Sequence, residues 1–242
     1  MIPLRDIKIN KLKHGLYVVS TPIGNLGDIT LRALDVLKNV DYLACEDTRV
    51  TRKLLNYYEI SAKLISYNNI NENTKSFKLI DKLNNNKNIG LVSDAGTPCI
   101  SDPGYRLVNA CHMNNINVIS IPGPSSVISS LSISGLPTDN FYFYGFLPRK
   151  KGRKTKFELL TEISATIVIF ESPFRIVRTL KDIYNYMGNR VVSVCKEITK
   201  IYERVFFGNI IDIINILEKE NKLKGEFVIL ISKEGYEIKW VY

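Results

Sequence analysis

The feature that most constrains this chain is a repeated unit: a short apolar run, a loop of Gly, Pro or polar residues, then a segment with helical spacing. Residues 16–20 (Leu-Tyr-Val-Val-Ser) run into Thr21-Pro-Ile-Gly-Asn-Leu-Gly27, after which Asp28 is expected to cap a helix on which Ile29, Leu34, Leu37 and Val40 recur. Residues 42–45 end in Glu46-Asp-Thr-Arg49, ahead of a helix expected over 51–58. Residues 63–67 lead through an Asn-rich loop to a helix near 72–83. The all-apolar-or-glycine run 89–92 enters Ser93-Asp-Ala-Gly-Thr-Pro-Cys-Ile-Ser-Asp-Pro-Gly104, followed by a helix over 105–113. Residues 118–121 enter Pro122-Gly-Pro-Ser-Ser126, where Ser125 or Ser126 is placed to cap a helix over 127–134. Strands that alternate with helices pair in parallel, and ligands of such sheets lie beyond the carboxyl ends of the strands. The loop after residue 92 is therefore the centre of the chain: glycines let backbone amides approach a ligand, prolines fix the path, and Asp94 and Asp102 stand beside them.

Five strands are complete by residue 122, so the expected division is an N-terminal α/β domain over 1–122 and a C-terminal α/β domain over 123–242. The second half predicts a mixed sheet, with strands over 165–170, 191–195, 205–207 and 227–232 and helices over 173–186 and 210–218. Residues 141–147 (Phe-Tyr-Phe-Tyr-Gly-Phe-Leu) form a strongly aromatic strand, suited either to core packing or to stacking on bases. Directly after it Arg149, Lys150, Lys151, Arg153, Lys154 and Lys156 supply six of the nine net positive charges of the 242-residue chain. Such a run is either a solvated loop or a phosphate-contacting arm for nucleic acid. Glu46 to Arg49 likewise either cap a helix with a surface ion pair or line the same cleft as the central loop.

Several classes are disfavoured. The two histidines and four cysteines show no metal-ligand spacing and no CxxC pair, so a metal centre is not expected and the thiols should be reduced and packed. GxGxxG and GxxxxGK[ST] are absent, which removes the dinucleotide fingerprint and the P-loop. No apolar run reaches the roughly 18 residues of a membrane helix, and residues 1–14 carry charges throughout, so a cytoplasmic protein without a signal peptide is expected.

Taken jointly and in order, Thr21-Pro-Ile-Gly-Asn-Leu-Gly-Asp-Ile-Thr30, Cys45-Glu-Asp-Thr-Arg49, the 93–104 loop, Ile121-Pro-Gly-Pro-Ser-Ser126, Phe146-Leu-Pro148 and Phe170-Glu-Ser-Pro-Phe-Arg175 resemble the ribosomal RNA small subunit methyltransferase I family. The resemblance implies the two-domain tetrapyrrole-methylase fold, S-adenosylmethionine as cofactor, and 2′-O-ribose methylation of a cytidine in the decoding region of 16S rRNA, within the small ribosomal subunit, by a homodimer. It implies a cofactor site at Pro22, Gly24, Asp94, Ala95, Gly96, Thr97, Ile100, Pro122, Ser125 and Phe170. Three features depart from the family pattern. Val50 stands where a histidine commonly follows Asp-Thr-Arg, Tyr67-Asn-Asn-Ile-Asn-Glu72 lacks a second common histidine, and the chain stops at Tyr242 where many relatives add a helical extension. More of the RNA contact then falls on Arg49, Arg149, Lys150, Lys151, Arg153 and Lys154. A ribose hydroxyl is a poor acid, so a carboxylate or desolvated lysine that takes its proton would assist; the candidates are Glu46, Asp47, Glu171, Lys196 and Glu197.

Overall fold

The computed structural model describes residues 12–220 and 222–238; the expectations for residues 1–11 and for the end at Tyr242 lie outside them. Packing divides the chain into two units, with the break after Ser125.

The first unit holds β1 (Leu16–Val19), α1 (Leu31–Asn39), β2 (Tyr42–Cys45), α2 (Thr48–Tyr57), β3 (Leu64–Ser66), α3 (Glu72–Asn84), β4 (Ile89–Val92), α4 (Tyr105–Met113) and β5 (Val118–Ile121). Its strands lie in the order β3-β2-β4-β1-β5, and every pairing is parallel. Side chains of a strand alternate between faces, and both faces here are apolar, as a sheet covered by helices on both sides requires. Tyr17 and Val19 pack with Val36, Leu37 and Leu55, while Leu16 and Val18 pack with Leu79, Leu83, Leu107 and Cys111. Helices α1 and α2 thus cover one face and α3 and α4 the other.

Two helix starts differ from expectation. Asp28 ends a short 3-10 turn, Leu26–Asp28, and the cap of α1 is Thr30, whose Oγ1 accepts the amide of Ala33 at 3.1 Å. Helix α2 begins at Thr48 because Asp47 caps it, its Oδ1 accepting the amide of Arg49 at 2.8 Å.

The second unit contains α5 (Ser126–Ile133), β6 (Phe141–Phe146), α6 (Arg153–Thr161), β7 (Thr166–Glu171), α7 (Ile176–Met187), β8 (Val191–Lys196), β9 (Arg204–Asn209), α8 (Ile210–Glu218) and β10 (Phe227–Ile231). The sheet order is β6-β7-β10-β8-β9; β6 runs parallel to β7 and the other pairings are antiparallel, so the carboxyl ends of β6, β7 and β8 share one edge. Ile167, Ile169, Val192, Val194, Ile229 and Ile231 face Phe157, Leu180, Ile183, Ile213 and Leu217 of the helices. The aromatic strand is an edge strand and core packing accounts for part of it: Tyr144 and Leu147 pack on the core, whereas Phe141, Tyr142 and Phe146 are exposed. The basic run is not an extended arm either, since its second half forms the first turn of α6.

Candidate functional site

Because all five strands of the first sheet are parallel, their following loops gather at one edge. Three of those loops are laced together. Thr21 and Gly96 exchange backbone hydrogen bonds, N to O at 2.9 Å and 3.0 Å, forming an isolated antiparallel bridge between the loops after β1 and β4. The hydroxyls of Ser20 and Thr97 are 2.9 Å apart, and Thr97 Oγ1 donates to Pro124 O at 3.1 Å, which draws in the loop after β5. The loop after β2 joins through Asp47, whose amide donates to Asp94 Oδ1 at 3.0 Å.

The loop after β4 is strained as well as tied. Gly96 has φ 77°, and Cys99 and Ser101 hold φ 72° and 64° without being glycine. A Cβ on Gly96 would approach Ile23 Cγ2 at 3.2 Å, and one on Gly104 (φ 137°) would meet Cys99 Sγ at 2.6 Å. Gly96 is thus buried where its backbone packs against the loop after β1, while Asp94 and Ala95 are exposed beside it. Of the cofactor residues named from the sequence, Pro22, Gly24, Asp94, Ala95, Gly96, Thr97, Ile100, Pro122 and Ser125 all fall on these loops. Ser20 and Thr21 were not singled out, although two hydroxyls closing a buried apolar run were a readable signal.

Electrostatics distinguish this edge. Burial, then Asp94 and Asp102, push the Glu46 carboxyl above its usual range. Asp94 is raised by burial and by Asp47, against the Asp47 amide and Arg49, and Asp102 by burial and by Asp94, against a Ser93 hydrogen bond. Burial is the larger cause at all three, and the like charges of neighbouring loops add to it. Asp47 behaves oppositely. Its paired bonds from the Arg49 guanidinium, at 2.5 to 3.1 Å, and from the Arg49 amide hold it at about 2, so it is a helix cap and a weak base. Arg49 is itself exposed but engaged by Asp47.

In the second unit the geometry argues against three of the proton acceptors named from the sequence. Glu171 has no exposed side-chain surface: Oε1 accepts from Arg175 Nη2 at 2.8 Å and from the Ser172 amide at 2.7 Å, and Oε2 accepts from the Thr179 hydroxyl at 2.7 Å. Lys196 pairs with Glu220 at 3.3 Å. Glu197 accepts from Lys200 and from the Glu226 amide, both at 2.9 Å; burial would raise its carboxyl, but these bonds outweigh it and the net shift is downward. Arg153 is also reassigned. It is buried, donating to Asp182 at 2.8 Å, to Thr179 Oγ1 at 2.8 Å and to Pro148 O at 3.0 Å, so it cannot reach a phosphate. Arg149, Lys150 and Lys151 are exposed, Lys154 is exposed with a loose 3.8 Å pair to Glu158, and Phe170 is half-buried against Phe143 and Phe146.

Among the described residues no helix is long and apolar enough to cross a membrane, and no group of three or more His, Cys, Asp or Glu is arranged to hold a metal ion.

Known proteins give a consistent picture. Residues 15–214 match the family model described as Tetrapyrrole (Corrin/Porphyrin) Methylases. A protein of Halalkalibacterium halodurans named ribosomal RNA small subunit methyltransferase I is 46% identical over 228 residues, covering 94% of this chain and 78% of that protein. The protein of that name from Vibrio cholerae is 49% identical over 224 residues, covering 91% and 77%. Uroporphyrin-III C-methyltransferase from Thermus thermophilus, solved in complex with S-adenyl homocysteine, superposes with a TM-score of 0.59 over 89% of this chain and 96% of that one. At 16% identity it shares the fold.

Proposed function

This chain belongs to the ribosomal RNA small subunit methyltransferase I family of tetrapyrrole methylases, and on that premise we propose that it methylates the 2′-hydroxyl of a cytidine ribose in the decoding region of 16S rRNA. The observation that carries this is the laced carboxyl edge of β1, β4 and β5, lined by Glu46, Asp94 and Asp102. The cofactor is S-adenosylmethionine, which supplies a methyl group on a sulfonium whose departure leaves a neutral thioether. The residues present fit it: a cluster of carboxylates on adjoining loops suits a cationic ligand.

The protein's share of the work is alignment, dehydration and the proton. Asp94, Ala95, Gly96 and Thr97 would hold the donor on a loop that the Thr21–Gly96 bridge fixes in place. Glu46 would accept the proton of the ribose hydroxyl when the cofactor supplies its methyl group. A carboxyl held above its usual range retains that proton better than an ordinary glutamate, and among the described residues no ion pair engages Glu46, unlike Asp47, Glu171, Lys196 and Glu197. Arg49, Arg149, Lys150, Lys151 and Lys154 contact phosphates. We further propose the assembled small subunit as substrate, a homodimer as the working form and the cytoplasm as the location.

The test is mass spectrometry of small-subunit rRNA after incubation with the protein and isotopically labelled S-adenosylmethionine. A labelled 2′-O-methylcytidine in a decoding-region fragment is expected, and label on a base or in another region would overturn the assignment. Calorimetry on Asp94→Asn checks the cofactor site; affinity equal to wild type would remove that loop from it.

A further inference from the structure

At the carboxyl edge of β6 and β7, two turns stand side by side on a buried polar strut. Arg153 donates to Pro148 O at 3.0 Å and Arg175 to Leu147 O at 3.3 Å, so two guanidinium groups hold consecutive carbonyls of the turn after β6. Each cation is matched by a carboxylate, Arg153 by Asp182 and Arg175 by Glu171, both at 2.8 Å. The Thr179 hydroxyl joins the halves, accepting from Arg153 at 2.8 Å and donating to Glu171 at 2.7 Å. Buried charges persist only when matched in this way. A turn that merely had to stay in water would need no such grip on its carbonyls.

What the strut presents is unusual. On one turn Arg149, Lys150 and Lys151 point outward, and no described acidic side chain pairs with them. On the other, Phe174 is 94% exposed, while its neighbours are fixed by the Arg175 amide and the Ile176 amide, each donating to Ser172 O at 3.1 Å. A nearly bare phenyl ring on a rigid turn beside unpaired cations matches what single-stranded nucleic acid offers, an unstacked base flanked by phosphates.

We propose that Phe174 stacks on a nucleobase of the single-stranded RNA substrate while Arg149, Lys150 and Lys151 hold the adjoining phosphates, with Arg153, Thr179, Glu171 and Arg175 as positioning residues. This rests on the rRNA methyltransferase reading and adds the base-binding residue to it. The experiment is fluorescence anisotropy with a labelled single-stranded oligoribonucleotide of about ten nucleotides, long enough to span one such groove. Phe174→Ala should weaken binding about tenfold, whereas Phe174→Trp should retain it. Replacing Arg149, Lys150 and Lys151 with Gln should lower the slope of log Kd against log salt by about 2. Thr179→Val should weaken RNA binding in a way that is not additive with Phe174→Ala; a purely structural role would lower Tm and leave Kd unchanged. Wild-type Kd in Phe174→Ala, or an unchanged salt slope in the triple variant, would overturn the proposal. In wild-type protein, loss of the 2′-O-methyl product with intact oligonucleotide binding would instead count against the methyltransferase reading alone.

Discussion

The carboxyl edges of the two sheets both gather acidic residues, and they treat them in opposite ways. On the first, burial and then the like charges beside them push the carboxyls of Glu46, Asp94 and Asp102 upward. On the second, Glu171, Asp182 and Glu197 all have basic partners at 2.8 to 2.9 Å. A charge that a fold leaves uncompensated is held ready for something else, whereas a charge fully matched within the fold is part of its framework. Motif and residue type alone do not separate the two cases.

The largest effect should come from breaking the matched edge. Glu171→Ala leaves Arg175 without its buried partner and should cost about 3–5 kcal/mol, read as a lower midpoint in urea unfolding. A change below about 1 kcal/mol would mean that Glu171 is not the framework residue its burial indicates.

Glu46→Gln should instead spare the fold and lower the methylation rate by about 10²-fold or more, the scale of general-base assistance. Wild-type activity should rise with pH as Glu46 ionises, and the variant should lose that limb of the profile. Retention of the limb would remove Glu46 from the reaction.

Stability against pH gives a comparison of opposite signs. Glu46 has a raised value, so the folded state binds its proton more tightly, and stability falls as pH climbs from the ordinary 4.5 toward the raised value. Glu197 has a lowered value, so its contribution is complete above 4.5 and is lost as pH drops through the folded value. Unfolding curves at stepped pH should therefore show Glu46→Gln flattening the first trend and Glu197→Gln weakening the protein near neutrality. The same sign for both variants would erase the contrast between the edges.

The smallest effect sharpens the comparison within a single run of sequence. Lys154 is exposed, with a 3.8 Å pair to Glu158 one turn along α6, so Lys154→Ala should change stability by only about 0.3–0.5 kcal/mol. Its neighbour Arg153, replaced in the same way, should give a loss on the scale of Glu171→Ala.

That adjacent pair also shows where sequence reading stopped. The alternation of apolar runs and helical segments made the five parallel strands legible, because a short continuous apolar run between such segments suits a strand covered on both faces. The β4 loop was legible because Gly, Pro and Asp each carry a backbone meaning. Arg153 and Glu171 were not: one guanidinium or carboxylate looks like another until α7 brings Asp182, Thr179 and Arg175 against them. Asp28 was misassigned for a related reason, since the 3-10 turn displaces the true cap by two residues to Thr30.

The strand order has a consequence for how the protein is made. Strand β1 is the first of the described strands in chain order, yet it lies between β4 and β5, with Leu16 beside both Ile89 and Val118. During translation its sheet neighbours are complete only once residues 92 and 121 have emerged, so its pairings form after that of β2 with β3 can. The edge that carries Glu46, Asp94 and Gly96 comes into being in the same closing step as the sheet itself.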